Sequence, residues 1–322
     1  MPGDVKMRKN KIRGSLSLLV GTVIWGFAFI AQSVGMDLIG PFTFQAVRCF
    51  LAVVFLFCCS LVMDMGKYSF RESLMKWMDP RLWKVGLLCG LALFVAASLQ
   101  QMGLVYTDAG KAGFITAMYI VLVPILGLFL GKKPPRATVV SVSLAVVGLY
   151  LLSGTGASGI NKGDLLLMGC ALAFAVQINC IDRLAGDLDG LRLNCVQSLV
   201  VAVLSVPFLA LTETVRMENI LACWWPLCFA GIFSMGVAYT LQIVGQKDLE
   251  PTAASLIMSL ESVFAALGGW LILHESMSGL EKAGCVLVFL GVILSQLPDR
   301  RTKNEPKTSM QEKSPHQGTT VN

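Results

Sequence analysis

Charge is scarce in this sequence. Asp, Glu, Lys and Arg make up 14% of its 322 residues, against roughly 25% in a soluble domain. That scarcity excludes a disordered chain, a coiled coil and an ordinary cytosolic enzyme. Histidine is almost absent, with one at position 274 and one at 316. His274-Glu275 has no second His four residues on, so it is not the helix of a zinc protease. No Walker A stretch occurs, and ATP drive would need another subunit. None of the ten cysteines forms a CxxC pair, and all lie within or at the ends of apolar runs. They read as small packing residues, not as zinc ligands or a disulfide framework. The expectation is a protein without catalytic residues, metal, cofactor or nucleic-acid partner.

Apolar residues are what the chain has, at 55%. Segments 14–36, 85–107, 112–131, 137–161, 193–212 and 219–246 each run 20 residues or more without a charge. A hydrocarbon core about 30 Å thick takes about 20 helical residues to cross. The pattern predicts ten spans, at 14–36, 40–63, 83–105, 111–130, 137–153, 164–181, 193–212, 222–244, 252–273 and 280–297. The runs are too long and continuous for barrel strands. Lipid offers the backbone no hydrogen-bond partner, so all ten should be helices.

The distribution of basic residues sets an orientation. With the N-terminus in the cytoplasm, segments on that side carry 21 Lys and Arg. The opposite loops carry four, Lys111, Lys162, Arg216 and Lys282, and Arg48 lies inside a span. This bias predicts a multi-pass protein of the cell membrane with both termini cytoplasmic. The basic stretch before the first apolar run resembles a signal peptide, but the run is span length and lacks a small-x-small site, so it reads as an uncleaved first helix. Residues 64–83 suggest an amphipathic surface helix with Tyr68, Phe70, Leu74 and Trp77 on its apolar side.

Ten spans divide five and five at the Gly-rich stretch 154–163. Its GxGxxG spacing follows an apolar helix, not a strand, so it reads as a linker and not as a dinucleotide site. Five is odd, so the second unit is inverted relative to the first. The expected organisation is a cytoplasmic segment 1–13, a repeat 14–153, the linker 154–163, a repeat 164–297 and a disordered tail 298–322. GxxxG spacing at Gly86/Gly90 and Gly127/Gly131 fits packing inside the bundle or dimerisation.

Several segments carry a family resemblance. Trp25-Gly26-Phe27-Ala28-Phe29 lies in the first span, and Gly40-Pro41-Phe42-Thr43-Phe44 with Arg48 opens the second. Ala109-Gly110-Lys111-Ala112-Gly113-Phe114-Ile115-Thr116-Ala117 leads into the fourth, with Pro124 following. Ser259-Leu260-Glu261-Ser262-Val263-Phe264-Ala265-Ala266-Leu267 lies in the ninth, which closes on His274-Glu275. From about Gly14 to Leu297 the chain resembles the drug/metabolite transporter superfamily, specifically the EamA-type ten-helix bacterial carriers. The resemblance implies an all-α integral membrane fold of two inverted five-helix repeats around a central cavity, moving small metabolites in or out.

Polar residues inside spans are costly and tend to face cavities. Trp25, Phe29 and Gln32 share one face of the first span at i, i+4, i+7. Tyr119 follows Thr116 on the fourth, and Gln177 follows Phe174 on the sixth. Met235, Tyr239, Gln242 and Gln246 form a stripe on the eighth. Gln100 and Gln101 point 100° apart, and Gln101 is taken as the one that faces inward. The expected substrate cavity is therefore Trp25, Phe29, Gln32, Gln101, Tyr119, Gln177, Tyr239 and Gln242. Amides and rings together suit a neutral or zwitterionic, partly apolar solute. Two charges are buried by sequence, Arg48 and Glu261. They are expected to form an ion pair, or Glu261 carries a coupling proton or binds a substrate amine. The reading is a secondary transporter of small organic metabolites, amino-acid-like or otherwise neutral or zwitterionic, working by alternating access. Its partners are the solute, a proton and the bilayer, and it is a monomer or homodimer. The alternatives are a drug or toxic-metabolite exporter of the same fold and, behind it, a membrane-embedded enzyme.

Overall fold

The computed structural model describes residues 2–129, 131, 136–152, 161–272 and 277–296. Most of the linker 154–163, His274-Glu275 and the tail 298–322 lie outside them. Helix is the only regular structure among the described residues. Among the described residues, nine helices are long and apolar enough to cross a bilayer. They are Lys9–Met36 (span 1, whose helix begins at Pro2), Pro41–Asp64 (2), Pro80–Leu104 (3), Ala109–Phe129 (4), Lys162–Leu184 (6), Gly190–Thr212 (7), Trp224–Gln246 (8), Pro251–Ile272 (9) and Gly279–Gln296 (10). The shorter apolar helix Arg136–Leu152 is span 5.

Local chemistry fixes where the spans begin. Proline opens spans 2, 3 and 9, where a missing N–H costs nothing. Asp79, Asn161 and Asp189 cap spans 3, 6 and 7 with their side chains. After span 2 the chain turns at Gly66 with φ +79°, a conformation that favours glycine. The segment beyond is shorter than the expected amphipathic helix. It is one turn of α-helix, Phe70–Met75, running into a 3₁₀ turn, Lys76–Met78.

Packing repeats when the two halves are exchanged. Spans 2 and 7 lie against each other, as do spans 5 and 10. Span 1 packs on spans 8 and 9, and span 6 packs on spans 3 and 4. The glycines follow the same rule. A Cβ on Gly148 would meet the Gly284 carbonyl oxygen at 2.8 Å, and a Cβ on Gly291 would meet the Ser141 carbonyl oxygen at 2.8 Å. Counted from Arg136 and Gly279, Gly148 matches Gly291 and Ser141 matches Gly284, so one close contact is made twice. Gly86 and Gly90 of the GxxxG pair face Val196 and Val200 of span 7 within the same chain.

Three spans are irregular where the sequence predicts regular helices. Span 4 breaks at Met118 and span 9 at Ser259, each into two helices. Both breaks tighten to i→i+3 bonds, Val121 N–H to the Met118 carbonyl (3.0 Å) and Ser262 N–H to the Ser259 carbonyl (3.3 Å). Span 8 widens into a π-helical stretch over Phe229–Ala238. Such a widening frees backbone carbonyls. Asn194 of span 7 donates to two of them, Met235 (2.7 Å) and Gly236 (2.9 Å).

Candidate functional site

A central cavity forms where spans 1, 2, 3, 4, 6, 8 and 9 meet. Its free volume is about 30 Å³, room for water or a small group in this conformation. Eight of the ten sequence-predicted site residues line it: Trp25, Phe29, Gln32, Arg48, Tyr119, Tyr239, Gln242 and Glu261. Gln177 stands one layer back and accepts from Gln242 Nε2 at 3.1 Å.

Gln101 is a correction. It is fully buried, and its Nε2 lies 3.7 Å from Met36 Sδ. The neighbouring Gln100 lines the cavity instead. Met235 is a second correction, since it packs into the core and Ser234 takes the cavity position. The stripe counted at 3.6 residues per turn loses phase across the π-helical stretch, because each π turn takes up more residues. Gln45 carried no sequence signal of its own. Its Nε2 donates to Ser98 Oγ at 2.9 Å, and its Oε1 lies 3.5 Å from Arg48 Nη2.

The two buried charges share the cavity without touching. Arg48 is 2% exposed, and its Nη1 donates to Gln32 Oε1 at 2.5 Å. Its Nε has no acceptor, and the Phe44 ring lies 5.6 Å from its guanidinium carbon. Glu261 is 6% exposed and accepts from the Tyr119 hydroxyl at 2.9 Å. Counted from Ala109 and Pro251, Tyr119 and Glu261 occupy the same position of spans 4 and 9, one step or two beyond the breaks. Their hydrogen bond therefore joins equivalent points of the two repeats. Ser262 Oγ adds a second tie between these spans, to the Gly113 carbonyl at 2.8 Å. The expected ion pair between Arg48 and Glu261 is not formed in this conformation. Trp25 meets Tyr239 edge to face at 4.9 Å across the cavity wall. No cluster of three His, Cys, Asp or Glu able to hold a metal occurs among the described residues.

Paired five-helix halves around a polar cavity buried in an apolar bundle define a helical membrane transporter. Comparison with known proteins makes this particular. The chain belongs to the EamA-like transporter family, which it matches twice, over residues 12–154 and 161–297. An uncharacterized transporter of Archaeoglobus fulgidus is 33% identical over 291 residues, 89% of this chain and 87% of that protein. The threonine/homoserine exporter RhtA of Salmonella typhimurium is 29% identical over 182 residues, 55% of this chain and 59% of that protein. A solved structure described only as a protein crystal structure superposes with a TM-score of 0.76 at 19% identity, covering 90% of this chain and 98% of that one. It shows the same fold. The chain is thus a multi-pass membrane transporter, of a family of transporters rather than enzymes.

Proposed function

We propose that this protein is a secondary transporter of small neutral or zwitterionic metabolites, amino-acid-like in size, moving them across the cell membrane by alternating access. The observation that carries the reading is the cavity itself. It draws amides, aromatic rings and two charges from both repeats to one buried point, where polar groups are costly unless they serve a solute. The likeness to an exporter of threonine and homoserine fits a solute of this size. In this reading 14–153 and 164–297 rock against each other, with both termini in the cytoplasm, in a monomer or homodimer. A proton is the coupling ion, carried by Glu261, whose carboxylate holds either a proton or a cationic group.

Flux through purified protein in proteoliposomes tests the reading. Counterflow of labelled amino acids is expected with the wild type, and Gln242→Ala should lower it several-fold at normal expression. Glu261→Gln should lose pH-gradient-driven flux and keep exchange when the solute is saturating on both sides. A protein that moves none of a broad panel of cell metabolites overturns the proposal.

A further inference from the structure

Each buried charge in the cavity is held by neutral groups. Arg48 rests on two glutamine oxygens and a Phe ring, with one N–H left without an acceptor. Glu261 has one hydroxyl. Neutral partners position a buried charge, but they do not neutralise it, and an uncompensated buried charge is costly. Tyr239 lines the same cavity as both charges.

The charges also break the internal symmetry. Counted from Pro41 and Gly190, the counterpart of Arg48 is Gln197, which is fully buried and bonds Asn194 at 2.9 Å. The counterpart of Glu261 is Tyr119. Between spans 5 and 10 the repeats reproduce one another down to a glycine contact. At the cavity one copy carries a cation, the other an anion, and neither is duplicated. An asymmetric pair of poles suits a ligand that is itself asymmetric in charge.

Resting on the transport reading above, we propose that Arg48 and Glu261 form a clamp for a zwitterion. Arg48 takes the carboxylate of an α-amino acid, and Glu261 takes its ammonium group. The guanidinium offers its unpartnered Nε beside Nη2, whose bond to Gln45 is long at 3.5 Å. That is a fork suited to a carboxylate. Glu261 has one oxygen on Tyr119, leaving the other for an ammonium N–H. Gln242 Oε1, buried without a donor, and Trp25 Nε1, buried without an acceptor, are further points for the bound group. The side chain of the solute then lies toward Phe29, Phe174, Ile178 and Met258, so apolar and small side chains fit best.

Ligand chemistry on the wild-type protein tests this without relying on any variant to fold. Each common L-α-amino acid, its methyl ester and its N-acetyl form are titrated into purified protein, reading thermal stabilisation and calorimetric Kd. The free amino acid that binds best should bind about 10- to 100-fold more tightly than either derivative, since each removes one charge-assisted contact. Arg48→Gln should weaken the free acid by a similar factor and leave the ester unchanged. Glu261→Gln should weaken the free acid and leave the N-acetyl form unchanged. An ester that binds as well as the free acid overturns the clamp. So does the absence of binding by any amino acid up to about 10 mM. Protein that transports some other solute while failing these titrations keeps the transport reading and loses the clamp. Protein that binds amino acids by the expected series but moves nothing keeps the clamp and loses the transport reading.

Discussion

The two ends of the bundle solve one problem in two ways. At the end where span 1 begins and span 10 finishes (the terminal end), Asp64 closes span 2 and bonds Arg192 in the first turn of span 7. At the opposite end, Glu213 follows span 7 and reaches the first turn of span 2. It accepts from Phe42 N–H at 2.7 Å, Thr43 N–H at 2.8 Å and the Thr43 hydroxyl at 2.6 Å. Counted from Pro41 and Gly190, Asp64 matches Glu213 and Thr43 matches Arg192, so these are the same clip in inverted copies. At the opposite end the carboxylate sits on bare backbone N–H groups at a positive helix end. At the terminal end Asp189 already caps span 7, with bonds to the Leu191 and Arg192 N–H groups. Asp64 therefore takes the Arg192 side chain, together with Ser73 and Lys76. The comparison teaches that the repeat conserves the geometry and leaves the chemistry of the clip free.

A second pair of ties contrasts in the same way. Lys111 meets Asp164 at 2.7 Å, joining spans 4 and 6. Arg13 meets Asp248 at 2.8 Å, joining span 1 to the turn before span 9. Span 4 corresponds to span 9 and span 6 to span 1, so the two ties join corresponding elements with the charges exchanged, at positions that do not match residue for residue. Thr107 and Asn161 reinforce the first tie, and the second stands in the open with Arg13 64% exposed.

Breaking the buried clip should have the largest effect. Arg192→Leu strips Asp64 of its guanidinium, and the loss should be about 3 kcal/mol, read as a lower unfolding midpoint in detergent. Glu213→Ala at the opposite end should cost less, about 1–2 kcal/mol, the range of a lost helix cap. An equal loss at both ends would mean that the backbone clip is as strong as the ionic one. Of the second pair of ties, Lys111→Gln should cost about 1 kcal/mol and Arg13→Gln under about 0.5 kcal/mol, because solvent and salt screen the second. The smallest effect belongs to the surface helix Phe70–Met75, whose counterpart between spans 7 and 8 is the short helix Met217–Ala222. Ser69 N–H and hydroxyl bonds to Glu72 hold that carboxyl below the usual glutamate range. A depressed carboxyl stabilises above its unfolded value, about 4.3, and the effect is lost as pH falls through the folded value. The protection of residues 70–75 against amide exchange, relative to the intrinsic rate at each pH, should therefore fall below about pH 4, with no change in the spans. Glu72→Gln should show the lower protection at every pH.

Much of this fold is legible in the residues because membrane burial is a local requirement. Each span must carry its own apolar length, and each loop shows its own charge, so ten helices and their boundaries follow from the sequence within a few residues. Helical spacing also placed Trp25, Phe29 and Gln32 on one face, since span 1 is regular through that stretch. What only the tertiary structure decided is phase and partnership. Ser234 and not Met235 meets the cavity because neighbouring Asn194 accommodates a π-helical stretch in span 8. Gln100 and not Gln101 does so because span 3 takes its rotation from the helices packed on it. Arg48 rests on Gln32 and Gln45 and not on Glu261. Helix formation depends on a residue and its near neighbours. The rotation of a span, a break within it and the partner of a buried charge depend on contacts made tens to hundreds of residues away.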